Sequence, residues 1–182
     1  MAQTDVKAAV MKTISAIEAN PKASKVFFKA DTEWVEDVRC LGKVRDFTPL
    51  IIDEPPELGG QNAGPNPVEL LLVALGTCQE IMYSAYASVM GIKLDSVQVS
   101  LKGDIDLKGL FGLDENVPAG YTHIKFEANL VSDADDEALK SLIETVESHC
   151  PVMDSLLREI SISGTAKVNG KELYRSEVGI AV

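Results

Sequence analysis

The 182-residue chain predicts an α+β fold, on three observations. Runs of strand-forming residues are interrupted by helical segments rather than alternating with them one for one. Two segments, 97–102 and 123–130, alternate apolar and polar residues with period two, the pattern of an antiparallel sheet covered on one face. A helix near the middle carries a single apolar stripe about 27 Å long at 1.5 Å per residue.

The elements follow in order. The first 21 residues predict a helix, because Val6, Val10, Ile14 and Ile17 recur at helical spacing and Pro21 stops the run. Three strand-like segments come next: Val26-Phe27-Phe28, Glu33-Trp34-Val35 and Lys43 to Phe47, with turn residues such as Asp31 and Gly42 between them. A long loop, Asp53 to Gly64, holds Pro55, Pro56, Gly59, Gly60 and Gly64. The central helix then opens with Asn66 as cap, Pro67 at the first position and Glu69 where a capping box places its carboxylate. Leu71, Leu75, Cys78, Met82, Ala85 and Val89 form its stripe, and Gly91 ends it. The two alternating strands follow, separated by Asp104–Gly120, which is long for a hairpin. A second long helix starts near Ser132 or Asp133, with acids in its first turn, and turns Leu139, Ile143, Val146 and Cys150 inward. Pro151 breaks it and can start a short helix with Val152 and Leu156 inward. Ile160, Ile162, Ala166 and Val168 make one last strand.

Composition narrows the function classes. The chain is 46% hydrophobic and 25% charged, as ordinary globular proteins are. Twenty-eight acidic against seventeen basic residues give a net charge of −11. That excludes a general nucleic-acid binder, which needs a basic surface, and argues against docking on an anionic membrane. The longest apolar run, Leu70 to Leu75, is short of the roughly 20 residues that span a bilayer. The start lacks a basic-then-apolar signal pattern, so a cytoplasmic protein is expected. Three cysteines, odd in number and widely spaced, do not make a secreted disulfide framework.

The chemistry therefore turns on the cysteines. Cys78 and Cys150 each lie on the inward stripe of a long helix, so two thiols 72 residues apart can meet where the stripes pack. Free cysteine is also among the most buried residue types, and periodicity alone leaves packed thiols and a redox pair both open. His149 points about 100° away from Cys150 along the helix and reads as a solvated or capping residue. Cys40 reads as packing or half exposed, and His123 as solvated. Paired metal-ligand spacing is missing, and so is a phosphate-cradling glycine motif. No cofactor and no metal are expected.

Two stretches resemble a known family. The runs Asp53-Glu54-Pro55-Pro56-Glu57-Leu58-Gly59-Gly60 and Pro65-Asn66-Pro67 through Gly76-Thr77-Cys78, with His149-Cys150-Pro151-Val152 as a second signature, are similar to the OsmC/Ohr family of osmotically induced and organic-hydroperoxide-resistance proteins. The order of elements from about residue 25 to 168 matches too. Residues 1–22 then form an N-terminal helical extension and residues 23–182 the OsmC-like domain. The resemblance implies an OsmC-like fold, with antiparallel sheets wrapped around two long central helices in an intertwined homodimer. It places the active sites at the subunit interface. It also implies thiol-dependent reduction of organic hydroperoxides, in which Cys78 attacks and becomes a sulfenic acid, Cys150 resolves it as a disulfide, and an outside dithiol reductant restores both. The alternative is a non-catalytic dimer of the same fold that binds a small apolar ligand. The family's thiol is activated by an arginine from the N-terminal strands; Arg39 and Arg45 are the two there, and Arg39 fits the distance to Gly59-Gly60 better. In the peroxidases a glutamate directly after the Asn-Pro pair orients that arginine. Here the position is Val68, and Glu69 turns about 180° away from Cys78.

Overall fold

The computed structural model describes residues 3–178. Helix α1 (Gln3–Ala19) ends two residues earlier than the proline requires, because the Asn20 side chain accepts from the Lys22 N–H and opens a 3₁₀ turn at Pro21–Ser24. Strands β1 (Asp31–Glu36), β2 (Arg39–Lys43) and β3 (Leu50–Ile52) form an antiparallel sheet in that order, with Trp34 opposite Cys40 and Cys40 opposite Ile52. Two of the three expected strands need correction. Among the described residues Val26–Phe28 pairs with no strand, and Phe27 and Phe28 are exposed; β-propensity reports fit to a paired surface, and no described strand pairs there. The strand expected at Lys43–Phe47 stops at Lys43. Arg45 adopts a left-handed conformation at φ 50° and turns the chain, its guanidinium lying 4.4 Å above the Phe47 ring.

Helix α2 (Pro67–Met90) carries the full capping box. The Asn66 side chain accepts from the Glu69 N–H and the Glu69 carboxylate from the Asn66 N–H, both at 2.8 Å. Gly91, at φ 77°, terminates the helix. Its length and composition would suffice to cross a bilayer, but here one face packs on α1, α4 and β4. The buried row is Leu75, Gln79, Tyr83 and Ala87, so the helix is rotated from the apolar stripe drawn through Cys78, Met82 and Val89, which are half-buried.

Strands β4 (Ser96–Ile105) and β5 (Tyr121–Val131) pair antiparallel, Val97 with Leu130 and Leu101 with Phe126. Gly76 lets α2 approach this sheet: a Cβ there would lie 2.6 Å from Leu101 Cδ1. The connection holds a single helical turn, α3 (Leu107–Leu110). Helix α4 (Asp136–His149) is capped by Asp135, which accepts from the Ala138 N–H. Its Leu142 and Val146 join Tyr83, Ala87 and Ile92 in the buried core. Pro151 then starts α5 (Pro151–Leu157).

The last expected strand is half of a hairpin. β6 (Ile162–Val168) pairs antiparallel with β7 (Lys171–Val178) across Asn169-Gly170, at φ 53° and 80°. Asn-Gly is a preferred two-residue turn because both positions need positive φ.

Candidate functional site

Cys78 sits midway along α2, and Cys150 is the joint where α4 ends and α5 begins. The packing of α2 on α4 and α5 brings the two thiols near enough that Cys150, and the Val152 N–H at the start of α5, both act on the Cys78 thiol. Both are free thiols in this structure, Cys150 buried and Cys78 half-buried. Burial pushes the Cys78 thiol up from its ordinary range. The Val152 N–H pulls it down, and Cys150 pushes it up again. No guanidinium is among the groups that act on it.

A cleft of about 570 Å³ lies between α2, β5 and α5, lined by residues within a turn or two of Cys78 and Cys150 but by neither thiol. Leu71 and Leu75 reach it from the turns before Cys78, Met153 and Leu157 from the helix after Cys150, and Tyr121 and Phe126 from β5. Tyr121 is fixed there, donating its hydroxyl to the Val68 carbonyl at 2.9 Å, and Gly103 makes room for its ring. A second cleft of about 550 Å³ lies among Phe27, Phe28, Lys43 and Arg45 and is lined by no thiol.

Arg39 is held elsewhere in the chain. Its Nη1 lies 2.9 Å from Glu36, and its Nε 4.0 Å from the buried Asp53. Asp53 is a loop-organising residue that sequence reasoning did not single out. Its carboxylate accepts from the N–H groups of Glu54, Gln61 and Ala63 at 2.9, 3.1 and 3.0 Å and so ties the loop 53–64 together. The Ala63 N–H foremost holds its pKa below the usual carboxylate range, against the effect of burial, with help from Gln61, Glu54 and Arg39. Gly60 completes the loop by sitting where a side chain would collide with the Glu54 backbone. Arg45 is engaged with Phe47.

His149 is a helix-end residue: its Nδ1 lies 2.9 Å from both the Thr145 carbonyl and the Ser148 hydroxyl, and its ring packs against Tyr86. His123 stands opposite Asp104 on the β4–β5 ladder. Among the described residues no group of three or more histidine, cysteine, aspartate or glutamate side chains could hold a metal ion. Cys40 is half-buried in the middle of the first sheet.

The family model of OsmC-like proteins matches residues 59–164. The chain belongs to the OsmC-like protein family. Cys78, Cys150 and the residues that line the α2–β5–α5 cleft fall inside the matched segment, whereas Arg39 and Asp53 precede it. The OsmC-like chain is 27% identical over 124 residues to YmaD, an uncharacterized protein of Bacillus subtilis (strain 168), a match covering 66% of this chain and 80% of that one. Among solved structures it resembles an OsmC-like protein from Mycoplasma pneumoniae, with a TM-score of 0.63 at 17% identity over 72% of this chain and 88% of that one. It also resembles an organic hydroperoxide resistance protein OsmC from Legionella pneumophila, with a TM-score of 0.57 at 18% identity, covering 73% and 92%. A third is an organic hydroperoxide resistance protein from Elizabethkingia anophelis, with a TM-score of 0.56 at 20% identity, covering 73% and 91%. At these identities the neighbours establish the fold: α+β, with antiparallel sheets and helices, as the element pattern implies.

Proposed function

We propose that this OsmC-like protein is a thiol-dependent peroxidase that reduces organic hydroperoxides. The observation that carries the reading is the approach of Cys78 and Cys150, 72 residues apart, with an apolar cleft lined by Leu75 and Met153, each three residues from one of the thiols. The Cys78 thiolate attacks the O–O bond, releasing an alcohol and leaving a sulfenic acid; Cys150 condenses with it to a disulfide and water; a dithiol reductant returns both thiols. The cleft suits the apolar part of a lipophilic hydroperoxide. Solved structures of the same fold are described as organic hydroperoxide resistance proteins, which supports the same chemistry here.

Only the thiolate attacks, and inside one chain burial holds the Cys78 proton on. The activating cation therefore comes from outside these contacts. We assign it to Arg39, delivered within a homodimer whose subunit interface closes over the cleft. Asp53 and Glu36 would hold that guanidinium, in place of the glutamate absent at Val68. The raised thiol also favours one other reading, a non-catalytic dimer that stores a small apolar ligand in the cleft.

Two measurements separate the readings. Consumption of cumene hydroperoxide with dithiothreitol as reductant should fall at least a hundredfold in Cys78→Ser; turnover at the parent rate would remove the peroxidase assignment. Alkylation of Cys78 by iodoacetamide across pH 5–10 reports its thiolate. In an assembled dimer with Arg39 in place, reactivity should rise well below the free-cysteine range near 8.5. In Arg39→Ala it should rise only in alkaline solution, because the thiol alone is shifted upward. A parent that also reacts only in alkaline solution favours the ligand-binding reading.

A further inference from the structure

Three polar side chains are fully enclosed among the described residues: Asp53, Ser88 and Gln79. Asp53 accepts three backbone N–H groups, and Ser88 donates to the Ser84 carbonyl at 2.7 Å. Gln79 has 0% exposure, and neither its Oε1 nor its Nε2 has a hydrogen-bond partner. Buried amides left unpaired are rare and costly, so this one calls for a state of the molecule in which both atoms are paired.

Its position says which state. Leu75, Gln79, Tyr83 and Ala87 form the enclosed row of α2, and Leu142, Val146 and Cys150 the enclosed row running down α4 to its end. Tyr83 and Ala87 pack with Leu142 and Val146, and Cys78 meets Cys150. The two rows therefore run antiparallel, and Gln79 stands at the level of the thiols. Tyr83, whose hydroxyl also donates and accepts, stands one turn further along α2, so Gln79 is the donor-and-acceptor side chain of these rows nearest Cys78 in the chain.

We propose that Gln79 binds the hydroxyl of the Cys78 sulfenic acid and assists its resolution by Cys150, an inference that rests on the peroxidase reading. A sulfenic hydroxyl needs one donor and one acceptor; the Gln79 Nε2–H donates to its oxygen and Oε1 accepts its proton. In the resolving step the Cys150 sulfur forms the S–S bond, the Cys78 S–O bond breaks, and the oxygen leaves as water with the proton given up by Cys150. The organic hydroperoxide is the oxidant throughout. Gln79 holds the departing oxygen while it is displaced, and it is idle in the reduced protein, which is why its amide is unpaired there.

The test uses the full chain with Gln79→Leu and Gln79→Met, the second unbranched and of similar length. After one equivalent of cumene hydroperoxide, quenched samples are resolved by mass spectrometry into thiol, sulfenic acid, disulfide and sulfinic acid. Both variants should oxidise Cys78 at the parent rate, form the disulfide at least tenfold more slowly, as the loss of the amide's hydrogen bonds to the departing oxygen implies, and divert Cys78 to sulfinic acid in excess peroxide. The reduced variants should melt no lower than the parent, since an unpaired amide has been replaced by an apolar group. Disulfide formation at the parent rate overturns the proposal. So does a lower melting point with both oxidation steps slowed together, which would make Gln79 a packing residue. A parent that consumes no hydroperoxide overturns the peroxidase reading and this proposal with it; a competent parent with unaffected variants overturns this proposal alone.

Discussion

Leu142 and Val146 of α4 are sealed against Tyr83 and Ala87 of α2, whereas Leu173 of the β6–β7 hairpin is 72% exposed, as are most of its apolar neighbours. The first region is held by burial. The second is held by its backbone ladder, and no residue of β6 is buried. The β1–β3 sheet resembles the hairpin in this respect, with Trp34, Leu50 and Ile51 open to solvent. A two-stranded hairpin on its own is marginal in water, and isolated apolar patches of this extent mark contact surfaces. The difference teaches that the chain divides its labour: the α2–α4 seam makes the thiol site, and the outlying sheets present apolar surface that the proposed homodimer would cover.

Four substitutions sharpen or break that contrast, all measured by urea denaturation. Leu142→Ala, which hollows the seam, should cost about 2–5 kcal/mol. Gly60→Ala, which forces a methyl group into the Glu54 backbone, should cost about 1–3 kcal/mol. Asn66→Ala, which removes the α2 cap, should cost about 1 kcal/mol. Leu173→Ala should change the stability of a lone chain by less than about 0.5 kcal/mol. A larger loss that shrinks as the protein is diluted would show that a second copy covers the hairpin. A large loss at every dilution would break the comparison, because the hairpin would then belong to the same cooperative core.

Much of the fold was legible because its signals are local. Asn66, Pro67, Glu69 and Gly91 mark both ends of α2 through hydrogen bonds within one turn, and the alternation of β4 and β5 names their covered face. The misses were of two kinds, one non-local and one local. Val26–Phe28 has strand chemistry but no partner strand, which propensity cannot reveal. The strand after Asn169-Gly170 is signalled locally by that dipeptide, a strong hairpin turn, and not by the apolar alternation, which ends at Val168. The approach of Cys78 and Cys150 could be anticipated from two inward stripes, although the α2 stripe is rotated from its buried row, and their proposed roles came from the flanking motifs alone. Gln79 could not, because a count of apolar residues discards a glutamine even when it occupies the centre of the buried face. Asp53 was readable in principle: an aspartate leading into a Gly- and Pro-rich loop is a ready acceptor for that loop's N–H groups.

Pro151 parts α4 from α5 at the residue that carries the second thiol. Cys150 thus ends one helix and, through its carbonyl, which accepts from the Asp154 N–H, starts the next, and in the proposed peroxidase a cross-link would form at this joint. Such a clasp would close a loop of about 70 residues and deprive the unfolded chain of freedom worth about 4 kcal/mol. The oxidised molecule would then outlast the reduced one in heat or protease, turning its history of peroxide exposure into a difference in durability.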